Sequence, residues 1–459
     1  MKLNTGLFLQ VYSFVTLVLC GAVQYFTGIG AVLWLPFILA SAMFMLLVMQ
    51  TSYEQLNLDH KEIALLAIFV GFFLMVLANT VLQNGITITI VGLKNELALS
   101  LILVCMLLGF VRESQVYRII KSFYLIYYLQ FPLILYQVLV IVPRRVAFKG
   151  PYEKWDSVVG TFGGDPMGGG NTAAMGLLCL LIMLLKVSEY KHGTTTIKSL
   201  IFHISSAFIL CIMGEIKFVI LLSPILLAMV WLSPSYIKGI KSFDLKILLM
   251  IVGGIFILIT GAIMALAMSY TSSIGADPNK GLFDVFFESL SYIFDPNYIM
   301  ESGELGRMTT VFFWLNNSEL YGLSGSLFGY GLNATNHGSS VSPGFLNIVF
   351  NVLLDSTSLS MLLWEVGIVG TFLFVSIVIY ILKISKPKPL LDRQELDKQD
   401  IELVSYQPAL RAFILGCLLS LPYSQILMLT PSLQFLFYFT LGTVIVIRRS
   451  IIKTVGIKL

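Results

Sequence analysis

The sequence predicts an all-α polytopic membrane protein with about twelve transmembrane helices and a large extracytoplasmic loop. Three observations predict it. Hydrophobic residues make up 57% of the 459 and charged residues only 12%, against about 25% charged in a water-soluble domain. The apolar residues fall in runs long enough to cross a hydrocarbon core of about 30 Å. Lys and Arg are shared unequally between alternate turns, as they are when one side of a membrane is cytoplasmic.

The runs lie at 6–26, 28–49, 63–83, 97–111, 122–142, 171–187, 200–214, 217–232, 246–269, 358–382, 409–429 and 431–447. The first is too long for a signal-peptide core, and a second follows at once, so it reads as a span. The stretch 200–232 reads as two half-length helices meeting at Gly214-Glu215-Ile216-Lys217, because a Glu and a Lys in mid-bilayer are costly. With both termini in the cytoplasm, 21 of the 29 Lys and Arg fall inside and eight outside. The organisation expected is 1–142 and 143–269 as membrane helices, 270–357 as the large extracytoplasmic loop, and 358–459 as membrane helices again. The charged stretch 383–408 reads as a solvated cytoplasmic connector. No internal repeat is present, so an inverted-repeat transporter finds no support. The five cysteines all sit in apolar runs without metal-ligand spacing, which argues against a metal site or a disulfide framework.

Residues able to carry chemistry concentrate in the outer segments. Pro143-Arg144-Arg145, Lys149 and Lys154 place positive charge outside, where it is either an anion site built on Arg forks or a rim for anionic headgroups. A glycine-rich stretch follows, Gly160-Thr161-Phe162-Gly163-Gly164-Asp165-Pro166-Met167-Gly168-Gly169-Gly170-Asn171-Thr172. It lacks the Gly-Lys-Ser/Thr of a nucleotide loop. It is either a close approach to an anion at the helix capped by Asn171 or Thr172, or a plain re-entrant turn. Glu215 either pairs locally with Lys217 or leaves Lys217 to face the same anion as Arg145. Arg307 is the only Arg of the long outer loop, a cation for substrate or a salt-bridge partner. His337 stands in that loop too, either a general base or a surface histidine.

In this order the motifs resemble the Wzy-type polysaccharide polymerases and O-antigen ligases, metal-independent glycosyltransferases of GT-C type. The resemblance spans about 140–375. It rests on Gly160-Thr161-Phe162 before Asn171-Thr172-Ala173, on Lys217 at the outer turn of a short helix pair, and on Arg307 opening the long loop. It continues in Leu327-Phe328-Gly329-Tyr330-Gly331 and in Asp355-Ser356-Thr357-Ser358-Leu359, which leads to Trp364-Glu365-Val366-Gly367-Ile368-Val369-Gly370. Ligases carry His-Asn eleven residues before the first glycine of that closing motif; Ser356-Thr357 stands there instead, which favours polymerase.

The resemblance implies an inverting block transfer in the bacterial inner membrane. A growing glycan moves from undecaprenyl pyrophosphate to a lipid-linked repeat unit on the extracytoplasmic face. Arg145, Lys149, Lys217 and Arg307 would neutralise the leaving group. Arg144, Gly160, Thr161, Asp165, Asn171 and Tyr330 would bind substrate, and Glu215, Asp165 and His337 are candidate bases. No metal, no cofactor and no nucleic acid are implied. The partners implied are the lipid-linked oligosaccharides, the bilayer, a chain-length-regulating membrane protein and a flippase. A ligase-like transferase and a transporter of lipid-linked or anionic solute stay open.

Overall fold

Apolar runs without water must satisfy every backbone N–H and C=O internally, and they do so as helices. The computed structural model describes residues 4–50, 58–150, 154–240, 245–274, 281–300, 302–338 and 343–455, and no strand occurs among them. The first helices are α1 (Thr5–Thr27), α2 (Gly30–Met49), α3 (His60–Leu107), α4 (Glu113–Lys149) and α5 (Thr172–Lys191). Then come α6 (Ile197–Met213), α7 (Lys217–Leu232) and α8 (Leu245–Ile274). Short helices follow: α9 (Leu282–Glu288), α10 (Ser291–Phe294), α11 (Arg307–Asn317), α12 (Leu323–Phe328), α13 (Phe345–Phe350) and α14 (Ser358–Glu365). The chain closes with α15 (Gly367–Ile384), α16 (Lys398–Ser420), α17 (Ile426–Leu429) and α18 (Pro431–Val455).

Among the described residues nine helices are long and apolar enough to cross a membrane, and the shorter α6 and α7 are apolar as well. The protein is thus an α-helical polytopic membrane protein. Large apolar side chains stand exposed on its flanks, such as Met49, Leu82, Phe256 and Ile257, as expected where lipid is the solvent. The centre of the bundle is α5, α16 and α18, and α8 lies at its margin.

Two ends of the bundle can be told apart by their contacts. At the base, Arg448 reaches Asp59 and Glu62, and Arg449 reaches Glu62 at 3.0 Å and the Leu107 carbonyl at 2.8 Å. Both ends of α3 therefore sit at the base. A continuous helix of 48 residues would be about 72 Å long, so α3 folds back on itself. It does so at Gly85, whose backbone is not helical, and through a π turn at Leu93–Leu97. This recovers the runs expected at 63–83 and 97–111 as a hairpin whose turn lies at the far end. Asp59 starts it with a capping box, accepting the Glu62 N–H at 2.8 Å.

The far end carries a helical cap built from α9 to α14. Its junction with α15 is main chain on main chain. Tyr330 N–H donates to the Trp364 carbonyl at 2.8 Å and Gly331 N–H to the Glu365 carbonyl at 2.9 Å. Gly329 and Gly367 have φ of 76° and 67°, and a Cβ on either would fall 2.4 Å from opposing backbone atoms. Only glycine fits both the left-handed conformation and the space.

Three expectations are modified. The basic segment 143–149 is helix, not loop, since α4 continues through Lys149. The connector 383–408 is ordered: Leu390 N–H and Leu391 N–H donate to the Tyr236 carbonyl, Lys238 N–H donates to the Leu391 carbonyl, and Asp397 caps α16 from Lys398 onward. Its charges fall mostly on the exposed chain before Lys398 and on the first turn of α16, which is buried from Glu402 onward. The run at 358–382 is broken at Val366 into α14 and α15. By contrast, α6 and α7 meet at 214–217 as the charge break predicts.

Candidate functional site

Arg144 and Arg145 are neighbours on α4, so about 100° of helix rotation separates them. Arg144 and Lys149 point outward and are exposed, while Arg145 is buried. The Arg145 guanidinium turns into the glycine-rich loop, where Nη1 donates to the Pro166 carbonyl at 3.1 Å and to the Gly168 carbonyl. It holds the loop's shape, a role the sequence did not assign to it. The rest of the loop is held the same way. Gln137 Oε1 accepts from Val159 and Gly160 N–H, and Thr161, fully buried, donates to the Leu17 carbonyl at 2.7 Å. Gly160 and Thr161 thus belong to the packing beneath the loop and not to its ligand-facing surface. Asp165 Oδ1 caps the turn by accepting the Met167 N–H at 2.8 Å. Asn171 stands at the N-cap of α5, yet its amide donates to the Phe162 carbonyl at 2.8 Å and does not cap the helix.

Above this loop lies a cavity of about 890 Å³. Asp165 and Asn171 form one wall, Gln24 and Trp34 of α1 and α2 a second, and Gln425 and Thr430 around α17 a third. The fourth is the turn of the α3 hairpin, Lys94-Asn95, together with Asn336 of the cap. These polar groups are tied to each other. Lys94 Nζ donates to Asn95 Oδ1 at 2.8 Å and sits 5.6 Å from the Trp34 ring centroid. Asn95 and Asn336 both donate to Asn333 Oδ1 at 3.1 Å. Sequence reasoning missed Lys94, Asn95 and Trp34. Lys94-Asn95-Glu96 is a polar triplet between two apolar runs, the same signal that picked out Glu215 and Lys217.

A second cluster brings Lys217 and Arg307 together. Lys217 Nζ lies 5.4 Å and the Arg307 guanidinium 5.5 Å from the Tyr292 ring centroid. Lys217 donates to the carbonyl and hydroxyl oxygens of Ser289 at 3.0 and 3.2 Å. Arg307 donates to Glu304 Oε1 at 2.9 Å and to the Ser356 carbonyl at 2.5 Å. Tyr292 OH is 3.0 Å from Tyr423 OH, and Tyr423 stacks on Phe218 beside Lys217. Glu215, at φ 51°, makes the turn between α6 and α7, with its carbonyl accepting the Lys217 N–H at 2.9 Å.

His337 is exposed at the cap, and its backbone N–H donates to Asp355 Oδ2 at 2.9 Å. Burial pushes the Asp355 carboxyl up to about 6, against the pull of that N–H. Tyr330, expected to touch substrate, is instead cap core: its OH donates to the Ser318 carbonyl at 2.6 Å and its ring packs on Trp364. Within the outer loop and its end, Arg307 bonds Ser356 and the 329–331 element pairs with 364–365. Among the described residues no group of three or more His, Cys, Asp or Glu has the closeness a metal ion needs.

No protein-family model matches the chain, and no curated protein matches it.

Proposed function

We propose that the protein is a Wzy-type polysaccharide polymerase of the bacterial inner membrane, with twelve spans in a GT-C-like arrangement, both termini cytoplasmic and the cap extracytoplasmic. The observation that carries the reading is the polar cavity of about 890 Å³ at the capped end, walled by amide side chains, an indole and one lysine. Pockets of about 300–1,000 Å³ enclose ligands of several rings. Amides read hydroxyl groups, and an indole face receives the apolar face of a sugar. The cationic pair Lys217 and Arg307 over Tyr292, outside the cavity lining and with Arg307 shared with Glu304, supports a polyanionic leaving group.

The chemistry proposed is displacement at an anomeric carbon. An acceptor hydroxyl of the lipid-linked repeat unit forms the new C–O bond. The bond to undecaprenyl pyrophosphate breaks, its electron pair leaves with the pyrophosphate, and the acceptor proton passes to a base. Lys217 and Arg307 offset the charge that develops on the pyrophosphate. Asp165 is the candidate base that lines the cavity; Glu215 and His337 are the others. Arg145 acts through the loop that carries Asp165. A transporter is expected to bind near the bilayer midplane between repeats, whereas this cavity is at one end.

The test incubates the purified protein with a synthetic undecaprenyl-pyrophosphate-linked repeat unit, with and without excess EDTA. A ladder of glycans that survives EDTA is expected. No product in either condition overturns the reading. A ladder that vanishes in EDTA and returns with Mg²⁺ overturns the metal-free mechanism, and transfer only to a lipid A core makes the protein a ligase.

A further inference from the structure

Behind the Asn95–Asn333–Asn336 wall of the cavity lie two glutamates that the mechanism does not use. Glu96 stands on the π turn of the α3 hairpin and Glu365 ends α14, and each is 1% exposed. The two side chains hold the same short turn two residues apart, at Asn333 and Thr335, and each acts on the other's charge. Their other partners are neutral donors. Both oxygens of Glu96 accept the Asn333 N–H, at 3.1 and 3.2 Å. Glu365 Oε1 accepts the Thr335 N–H at 3.0 Å and the Thr335 hydroxyl at 2.7 Å. Glu365 Oε2 is buried with no donor among the described residues. Two carboxylates this close and this buried repel each other, and one proton shared between them removes the repulsion.

We propose that Glu96 and Glu365 hold a single proton between them, and that this proton locks the 333–336 turn into the wall of the cavity. The pair joins the bundle, through α3, to the end of α14, and between them the two side chains grip backbone donors of the turn. Asn333 is at φ 64°, in the left-handed region that asparagine tolerates better than most residues. Its side chain in turn fixes Asn95 and Asn336 on the cavity wall. The charged groups within electrostatic reach of the pair are Lys94 on the same turn and Asp355 ahead of α14. With one shared proton the pair carries a single negative charge, which Lys94 offsets, while loss of that proton sets two negative charges side by side near the Asp355 carboxyl and releases the turn. Glu96 and Glu365 are thus positioning residues, and the lock acts on whatever ligand the cavity takes.

The test uses the full-length protein in lipid nanodiscs and needs no glycan. Infrared spectra at pH 7.5 of protein carrying ¹³C-labelled glutamate should show the C=O stretch of a protonated carboxyl, shifted by the label and by D₂O. Glu365→Gln, which supplies a permanent donor in place of the proton, should lose that band. Glu96→Gln should lose it as well, and it serves alone if Glu365→Gln does not fold. Amide exchange over 330–338, corrected for intrinsic rate, should speed up about tenfold per pH unit once the shared proton is lost, and the folded Gln variant should show no such rise. No protonated-carboxyl band in the wild type, or a band kept in both variants, overturns the proposal. So does a rise in exchange with pH that is the same in wild type and variant. None of these outcomes bears on whether the protein polymerises glycans.

Discussion

Replacing Asp355 by asparagine should stabilise the protein above pH 6 and leave it unchanged near pH 4. Asp355 is buried between α13 and α14, and its carboxyl titrates at about 6, raised from the ordinary 3.8 chiefly by burial. In the folded protein it keeps its proton up to about pH 6, and in the unfolded chain only to about pH 4. Between those values the folded state binds more protons, so stability falls as pH rises through the window, and the loss stays in place above it. At about 1.4 kcal/mol per pH unit, the interval amounts to about 3 kcal/mol. The amide that replaces the carboxyl would keep an oxygen for the His337 N–H, now 2.9 Å from Asp355 Oδ2, while having no charge to bury. The assay is denaturant unfolding of wild type and Asp355→Asn, in one detergent, at intervals from pH 4 to 8. The expected result is a stability difference near zero at pH 4 that opens to about 3 kcal/mol in favour of the variant by pH 8. A difference independent of pH, or a variant less stable at pH 8, refutes the assignment of a strained carboxylate to this position.

Arg145→Ala should lower stability by about 3–6 kcal/mol, since two bonds from a charged donor are lost at about 1.5–3 kcal/mol each; Arg145→Lys should lose less, and thermal melts with proteolysis of the 163–170 loop check both. Lys217→Ala and Arg307→Ala should each slow the glycan ladder about 10²–10³-fold while melting as folded proteins. Tyr292→Phe, which keeps the ring under both cations, should stay near wild-type rate in the same assay. Asn297→Cys, on the exposed cap, should react with a membrane-impermeant maleimide on intact cells in a background lacking the native cysteines. Reaction only after the cells are opened would reverse the orientation and with it the proposed site.

Much of the bundle was legible because lipid enforces a simple rule: an apolar run becomes a helix, and a charge break ends it. The meeting of α6 and α7 at Glu215 and Lys217 follows from that rule alone. Elements that obey two rules at once were harder. Lys398–Ser420 begins as a charged, water-facing helix and continues as an apolar one, so composition marked only its second part. Arg144 and Arg145 look equivalent in sequence, and only helix rotation sends one to solvent and the other to the loop carbonyls. The cavity was the least legible feature, because its walls come from segments as far apart as Gln24 and Thr430. Amide side chains at such separations carry no pattern until packing brings them together. The Glu96–Glu365 pair is of the same kind, with 269 positions from one member to the other.

The seam between Gly329 and Gly367 has a mechanical consequence. Where side chains interleave, a rotamer change can absorb a small displacement; where main chain lies directly on main chain, nothing absorbs it. The 330–336 turn is therefore clamped between α15 and the α3 hairpin, whose Thr80, Asn84 and Glu96 also bond it, so an angular change of α15 against α3 bears directly on it. Helices change tilt when the surrounding bilayer is thicker or thinner than their apolar length. A change in bilayer thickness that tilts α15 against α3 is thus expected to be felt at the wall of the cavity.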